Sequence, residues 1–166
     1  MKIMKEIVIN KGKLKDDEIT EVLDKARIVL RNDDGEFILS HFERVYFLPG
    51  GKVEVTETPV DAVKRELLEE TGYTVHSVRC HGYVTFPGLY YGEDEGMFVY
   101  SCHDFEGTLK ECDEGVLEWV DDDLIPDYPQ WKADYHFLNW MEDDHYHHAK
   151  VVYKNDELIE YKEEIY

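Results

Sequence analysis

Three closely spaced glutamates carry the clearest chemical signal in this chain. Glu66, Glu69 and Glu70 stand at positions i, i+3 and i+4, which share one face of a helix. Like charges at this spacing repel each other, and a hard divalent cation would turn that repulsion into ligation, because Mg²⁺ prefers carboxylate oxygens. The spacing therefore indicates a Mg²⁺ site, with Mn²⁺ as the alternative metal. Three glutamates alone are more typical of a solvated acidic surface, so the flanking residues decide.

The flanking residues predict that the glutamates lie on a well-bounded helix. Thr58 is suited to accept a hydrogen bond from a free backbone N–H as the N-cap, and Pro59 suits the first helical position. Gly72 suits the C-terminal cap, where a positive φ is accessible to glycine. A helix over about residues 59–71 follows.

Two neighbouring features favour ligand chemistry over a solvated surface. Residues 48–51, Leu-Pro-Gly-Gly, predict a tight turn just before the helix, with backbone exposed for the close approach of a ligand. Arg65 stands where its guanidinium can pair with a carboxylate and orient it. The segment therefore combines exposed backbone, aligned carboxylates and an orienting cation.

The window over residues 51–73 resembles the signature of the Nudix hydrolases. Its matching positions are Gly51, Glu57, Arg65, Glu66, Leu67, Glu69, Glu70, Gly72 and Tyr73. The last position is aromatic here, whereas the signature has a bulky aliphatic residue. The resemblance implies that Glu66, Glu69, Glu70 and the Gly50 carbonyl bind metal, and that Glu57 and Arg65 orient the glutamates. It also implies that one of the three helix glutamates, or a glutamate on a later loop, is the general base.

Alternation of strand-like and helix-like segments predicts an α/β fold with a mixed sheet. The resemblance adds the Nudix-type α/β/α sandwich. Residues 26–30 are predicted to form a hairpin with residues 36–42 around a turn at residues 33–35. We expect one domain over residues 1–166, with an N-terminal extension at 1–22 and a C-terminal hairpin at 149–166.

Several residues outside the signature are candidates for substrate or metal binding. The resemblance places a metal-reaching carboxylate on the acidic loop before Trp119, where Glu114 is preferred over Asp113 for metal binding and catalysis. The remaining candidates are Arg44 for phosphate or base, Tyr46 and Trp131 for stacking on a base, and Asp134 for the edge of a purine. The histidines and aspartates at residues 143–148 are predicted to form a solvated turn rather than a metal cluster.

Composition limits the classes of partner. The 166 residues carry a net charge of −20, which disfavours a nucleic acid polymer, because polymer binding depends on Lys and Arg. A small anionic nucleotide remains accessible when metal ions bridge it to carboxylates. No apolar run is long enough for a membrane span and no signal peptide is evident. We therefore expect a cytoplasmic monomer or homodimer, with free thiols in a reducing compartment.

The resulting functional hypothesis is hydrolysis of a nucleoside triphosphate, ordinary or oxidised, to a monophosphate and pyrophosphate. The stretch GGKVE at residues 50–54 and the acidic loop before Trp119 resemble the MutT-like 8-oxo-dGTP diphosphatases. The alternative is an ADP-ribose or nucleotide-sugar diphosphatase, since many relatives of that type carry a proline near the position of Pro87. A third hypothesis is a Nudix domain that senses nucleotides without hydrolysing them.

Overall fold

The computed structural model describes residues 23–42, 45–90, 92–111, 115–127 and 130–166, with the backbone alone at residues 41, 42 and 90. The predicted N-terminal extension lies outside these ranges. Arg44, Asp113 and Glu114 also lie outside them, so their predicted roles stay predictions.

Eleven strands and two α-helices make up the described chain. The strands are β1 Leu23–Leu30, β2 Glu36–Phe42, β3 Val45–Phe47, β4 Gly50–Lys52, β5 Tyr73–Val75, β6 Arg79–Tyr90, β7 Glu93–Cys102, β8 Phe105–Gly107, β9 Val116–Asp121, β10 His147–Lys154 and β11 Glu157–Ile165. The helices are α1 Pro59–Thr71 and α2 Asp134–Asn139, and short 3₁₀ helices cover Asp122–Asp127 and Trp140–Glu142.

The main sheet has six strands in the order β11-β10-β6-β7-β1-β4. Strand β1 runs parallel to β7, and β10 runs parallel to β6, whereas the other neighbours are antiparallel. A second sheet has the order β3-β2-β9, and β5 pairs with β8 in a third. The predicted mixed sheet is confirmed.

Each face of the main sheet is covered by a helix. Alternate residues of β1, Ala26, Ile28 and Leu30, pack with Val63 and Leu67 of α1 in one core cluster. The opposite face, built from residues of β6, β7 and β10, packs against Phe137 of α2 and Trp140 in a second cluster. Successive side chains of a strand point to opposite faces, so one sheet serves both cores, and the α/β/α sandwich is confirmed.

Helix α1 begins and ends where the sequence predicts. The Thr58 hydroxyl accepts from the Asp61 N–H, and the Asp61 carboxylate accepts from the Thr58 N–H, which completes a capping box. At the other end Gly72 has φ +82° and donates its N–H to the Leu68 carbonyl. Local cap chemistry therefore fixes both ends of the helix that carries the three glutamates.

Two local predictions before α1 are wrong. The predicted hairpin between β1 and β2 is reduced to a single bridge between Arg31 and Phe37, and the two strands belong to different sheets. The reason is competition for partners, because β1 is paired along its length with β7 and at one end with β4. The glycines of the predicted tight turn instead form β4, in which Gly50 pairs with Arg27.

A hairpin of β10 and β11 ends the described chain. Asn155 and Asp156 both have positive φ values, +50° and +63°, which suit a two-residue turn between antiparallel strands. The hairpin adds to the main sheet through parallel pairing of β10 with β6. Within the described ranges, no helix combines the length and the apolar character that a membrane span requires.

Candidate active site

Arg65 forms a clamp that joins the loop before α1 to the helix glutamates. Its Nε and Nη2 donate to the two carboxylate oxygens of Glu57 at 3.1 and 2.5 Å. Its Nη1 donates to Glu66 Oε1 at 2.7 Å and lies 3.5 Å from Glu69 Oε2. Nη2 also donates to the Lys52 carbonyl. The planar guanidinium therefore fixes Glu57 with two parallel bonds and turns Glu66 in a defined direction.

The charges of this clamp stabilise each other. The hydrogen bond from Arg65 is the largest cause that holds the pKa of Glu57 below its usual value. In turn, the hydrogen bonds to Glu57 and Glu66 raise the pKa of Arg65. Both groups are therefore held in their ionised forms, as an orienting device requires.

The two glycines of β4 give the helix carboxylates room and a partner. Glu66 lies so close to Gly51 that a Cβ at Gly51 would overlap its carboxylate. The Gly50 N–H donates to Glu70 Oε2 at 3.1 Å in a buried hydrogen bond. Gly50 has φ +131°, and a Cβ there would overlap the Ala26 carbonyl oxygen. Gly50 therefore requires glycine, whereas a side chain at Gly51 would displace the Glu66 carboxylate from its present position.

The three glutamates differ in exposure although they share a helix. Side-chain exposure is 18% for Glu66 and 62% for Glu69, and Glu70 is buried. In the part of the chain that the structure describes, no three Asp, Glu, His or Cys side chains form a preassembled metal cage. The donor set nevertheless suits a hard cation, since it consists of carboxylate oxygens, one of which occupies the cradle that Gly51 leaves open.

A cavity of about 420 Å³ opens on the face of the main sheet opposite α1. Its apolar walls include Phe47, Phe86, Met97 and Trp131, and its polar groups include Asp134. This size, and walls that combine aromatic side chains with the charged groups of Lys25, Arg27, Glu95, Asp134 and Asp156, suit a small-molecule site. The cavity therefore fits a flat, partly polar ligand such as a nucleobase.

Asp134 is the most perturbed acid of the cavity. Burial of its carboxyl raises its pKa to about 7, and the positive charge of Arg27 acts against that shift. The side chain as a whole is half-buried. An acid balanced between its charged and neutral forms near neutral pH, in a concave site, is a functional-site candidate.

The two aromatic residues predicted to stack on a base have different positions. Trp131 lines the cavity and packs edge-on against Tyr153 with ring centroids 5.1 Å apart. Tyr46 donates its hydroxyl to Glu118 Oε2 and packs against a core cluster, and it is not among the described residues that line the cavity. Its neighbour Phe47 lines the cavity instead, because successive residues of β3 point to opposite sides.

The C-terminal hairpin supplies part of the cavity wall. Tyr153 and Asp156 line it, and the Tyr153 hydroxyl accepts a hydrogen bond from the Ala133 N–H at 2.9 Å. The hairpin therefore supports the segment that carries Trp131 and Asp134. No local motif in the sequence predicts this contact.

The acid and histidine group at residues 143–148 takes part in a structural network. His147 is buried, and its ring nitrogens lie 2.6 Å from Glu163 Oε1 and 3.0 Å from Asp143 Oδ1. Its ring stacks on Trp140 with centroids 4.8 Å apart. These contacts join the 3₁₀ helix Trp140–Glu142 and the residue that follows it to the C-terminal hairpin.

Comparison with known proteins gives consistent matches. The NUDIX domain family matches residues 23–141. The Nudix hydrolase YvcI of Bacillus subtilis (strain 168) is 33% identical over 118 residues, which cover 68% of this chain and 75% of YvcI. An oxidized purine nucleoside triphosphate hydrolase of Danio rerio is 39% identical over 87 residues, which cover 51% of this chain and 54% of that protein. The latter match therefore spans about half of each protein.

Structural comparison indicates the same family as the sequence matches. The crystal structure of the MutT protein from Bacillus halodurans superposes with a TM-score of 0.77 at 27% identity, covering 86% of this chain and 97% of that one. The family match includes the whole segment from β4 to the end of α1, with its clamp and its three glutamates. The chain therefore belongs to the Nudix family and is a MutT-like hydrolase of the pyrophosphohydrolase class.

Proposed function

We propose that this enzyme hydrolyses a purine nucleoside triphosphate, ordinary or oxidised, to a monophosphate and pyrophosphate. The observation that carries the proposal is that Gly50 of β4 contacts both sites: its carbonyl accepts from Arg27, which lines the cavity, and its N–H donates to Glu70. The cavity of Trp131 and Asp134 lies on one face of the main sheet, and the carboxylates of α1 reach β4 from the other. We infer that a nucleotide with its base in the cavity would extend its phosphates past β4 towards the glutamates. The likeness to the Danio rerio enzyme supports the same substrate class.

Glu66, Glu69 and Glu70 are the groups that would hold a divalent cation, most simply Mg²⁺. The Gly50 carbonyl, which already accepts from Arg27 Nη1 at 2.8 Å, would contribute through its second lone pair. Nudix hydrolases generally use divalent metals. When bound, such an ion neutralises phosphate oxygens and the charge that develops on them. The net charge of −20 makes this screening necessary for any triphosphate that approaches the site. We expect Glu114, on the later acidic loop, to contribute a further carboxylate.

The chain itself positions the groups and accepts the proton. Arg65, anchored on Glu57, holds Glu66 in place, and the Gly50 N–H holds Glu70. Glu69 is the mostly exposed member of the three, so we assign it as the general base for the attacking water. Water adds to phosphorus as the P–O bond of the anhydride between the α- and β-phosphates breaks, its proton passes to Glu69, and the monophosphate and pyrophosphate separate.

The residues that line the cavity would bind the base. The indole of Trp131 offers an aromatic surface for stacking, and the Asp134 carboxyl offers hydrogen bonds to the edge of a purine. Stacking contributes about 1–3 kcal/mol per base and tolerates any base. Selection among bases therefore depends on the polar groups of the cavity.

The test is a panel of nucleoside triphosphates, their oxidised forms, ADP-ribose and nucleotide sugars, incubated with Mg²⁺ and resolved by chromatography. We expect pyrophosphate and a monophosphate from purine triphosphates. Glu69→Gln and Glu70→Gln should each lower kcat at least 100-fold, whereas Glu106→Gln, an exposed glutamate on β8, should leave it unchanged. Two monophosphates from ADP-ribose as the preferred reaction would favour the alternative substrate class. No cleavage of any phosphoanhydride would reject the proposal.

A further inference from the structure

Arg27 lies where the two halves of the site meet. It stands in the middle of β1, whose neighbouring residues Ala26 and Ile28 pack towards α1, so its own side chain lies on the opposite face and lines the cavity. In the pairing of β1 with β4 it stands opposite Gly50. One residue therefore belongs to the cavity wall and also adjoins the glycine whose N–H holds Glu70.

The Arg27 guanidinium is held firmly along one edge. Nη1 donates to the Leu48 carbonyl at 2.9 Å and to the Gly50 carbonyl at 2.8 Å. The guanidinium carbon lies 5.6 Å from the ring centroid of Phe47, within cation–π range. Carbonyl bonds and a ring contact together fix the orientation of the group. A fixed fork of donors loses little entropy when a ligand binds to it.

The other edge of the guanidinium remains available for a ligand. Nε and Nη2 of Arg27 have no hydrogen-bond partner among the residues that the structure describes. Lys25, the other cation of the cavity wall, is already paired with the buried carboxylate of Glu95 at 3.0 Å. Arg27 is therefore the cavity cation whose donors are suited to a neutral acceptor on a ligand.

Arg27 and Asp134 together offer donors beside an acceptor. Both line the same cavity, and the positive charge of Arg27 interacts electrostatically with the Asp134 carboxyl. The edge of a 6-oxopurine has the complementary arrangement, a carbonyl oxygen that accepts and a ring N–H beside it that donates. A 6-aminopurine instead presents an amino group, which is a donor, towards the arginine. The N–H groups of Arg27 would then lack an acceptor. In nucleic acid complexes arginine also donates to guanine O6, there together with N7.

We propose that Arg27 is a specificity-determining residue that donates to a carbonyl oxygen at position 6 of the purine, beside an Asp134 carboxylate that accepts from the ring N–H. The proposal rests on the proposed function for the use of the cavity by a base. It also assigns the Nη1 contacts a positioning role, since the same guanidinium fixes the Gly50 segment.

The experiment compares two ligands that differ in that oxygen and in the ring proton beside it. Binding of GMP and of 2-aminopurine riboside monophosphate is measured by calorimetry at pH 8 without metal, so that no turnover is involved. A correctly formed contact to a base edge discriminates by roughly 1–3 kcal/mol, so we expect the wild type to prefer GMP about 10-fold or more. Arg27→Met should lower the ratio of the two dissociation constants towards one, with the remainder due to the Asp134 contact to the ring N–H, and Arg27→Lys should retain more of it.

The control is Arg31→Met, which removes an arginine paired with Asp122, outside the described lining of the cavity. It should retain the wild-type ratio. A purely structural Arg27 would weaken both ligands equally in the Met variant and leave the ratio unchanged, and that result overturns the proposal. A wild type that binds both ligands equally, or neither, overturns it as well. Failure of the proposed function shows separately, as the absence of pyrophosphate release from triphosphates.

Discussion

At the scale of single residues, the Arg65 clamp gives a direct prediction. Arg65→Gln removes the paired bonds to Glu57 and the bond that turns Glu66. Partners of metal ligands typically contribute about 10–100-fold in metal affinity or activity. We therefore expect the Mg²⁺ concentration at half-maximal activity to rise about 10-fold or more, with a smaller change in KM at saturating metal.

Arg31→Gln is the matched control for that variant, because it also removes an ion-paired arginine, in this case from Asp122 at the surface. Its Mg²⁺ dependence should equal that of the wild type. An Arg65 variant with unchanged Mg²⁺ dependence would show that the clamp does not act through the glutamates.

Asp134 makes stability depend on pH in a defined direction. Burial raises its pKa from 3.8 to about 7 in the folded state, so the folded protein binds this proton more tightly than the unfolded chain. Its favourable contribution is complete below pH 4 and is lost as the pH rises towards 7. Asn does not titrate, so the free energy of unfolding of the wild type should fall relative to Asp134→Asn between pH 5 and 7.5. A constant difference in urea titrations across that range would contradict the raised pKa.

The part of the site that could be predicted from sequence consists of residues that local spacing brings together. Glu66, Glu69, Glu70 and Arg65 lie on one helix, so helical periodicity alone brings them together. Tyr46 and Phe47 are neighbours of similar character, and only the register of β3 with β2 decides which one reaches the cavity. Arg27 was missed, although a lone charge inside an apolar strand, ARIVL, is a signal that deserves a functional explanation.

At the scale of elements, the cap of α1 gives a stability prediction. Thr58→Ala removes the hydroxyl that accepts from the Asp61 N–H, and loss of an N-cap typically costs about 1 kcal/mol. We expect a decrease of that size in the free energy of unfolding measured with urea. Thr56→Ala, at an exposed threonine in the loop before the helix, should change it little. Equal stability of the two variants would show that the capping box does not stabilise the helix.

The helix and the first hairpin show why some elements were predictable. Pro59–Thr71 carries its own start and stop signals within a few residues, so its bounds followed from sequence alone. The turn at residues 33–35 was correctly placed, yet β1 pairs in parallel with β7, about seventy residues later in the chain. Strand pairing is decided by burial and competition among distant segments, and a local turn signal contains no information about them.

At the scale of the whole molecule, the cavity depends on segments far apart in sequence. β1, β3, β6, β7 and the C-terminal hairpin all contribute to its walls. The hairpin lies beyond residues 23–141, the part that matches the family. The signature window identifies the family, whereas the proposed base site is built from the assembled sheet and from a segment outside the family match.

The net charge of −20 leads to a prediction about metal and stability. Self-repulsion opposes the compact state, so added NaCl should raise the free energy of unfolding by screening. Mg²⁺ bound at the helix glutamates should add a further increment at equal ionic strength, about 2.7 kcal/mol when its concentration is 100 times the dissociation constant. Urea titrations in NaCl and MgCl₂ separate the two effects.

The double variant Glu66→Gln/Glu70→Gln should lose only the Mg²⁺-specific increment. The double variant Glu106→Gln/Glu157→Gln, with the same charge change at exposed sites, should keep it. An equal increment in both double variants would mean that Mg²⁺ acts on the overall charge and not at the helix.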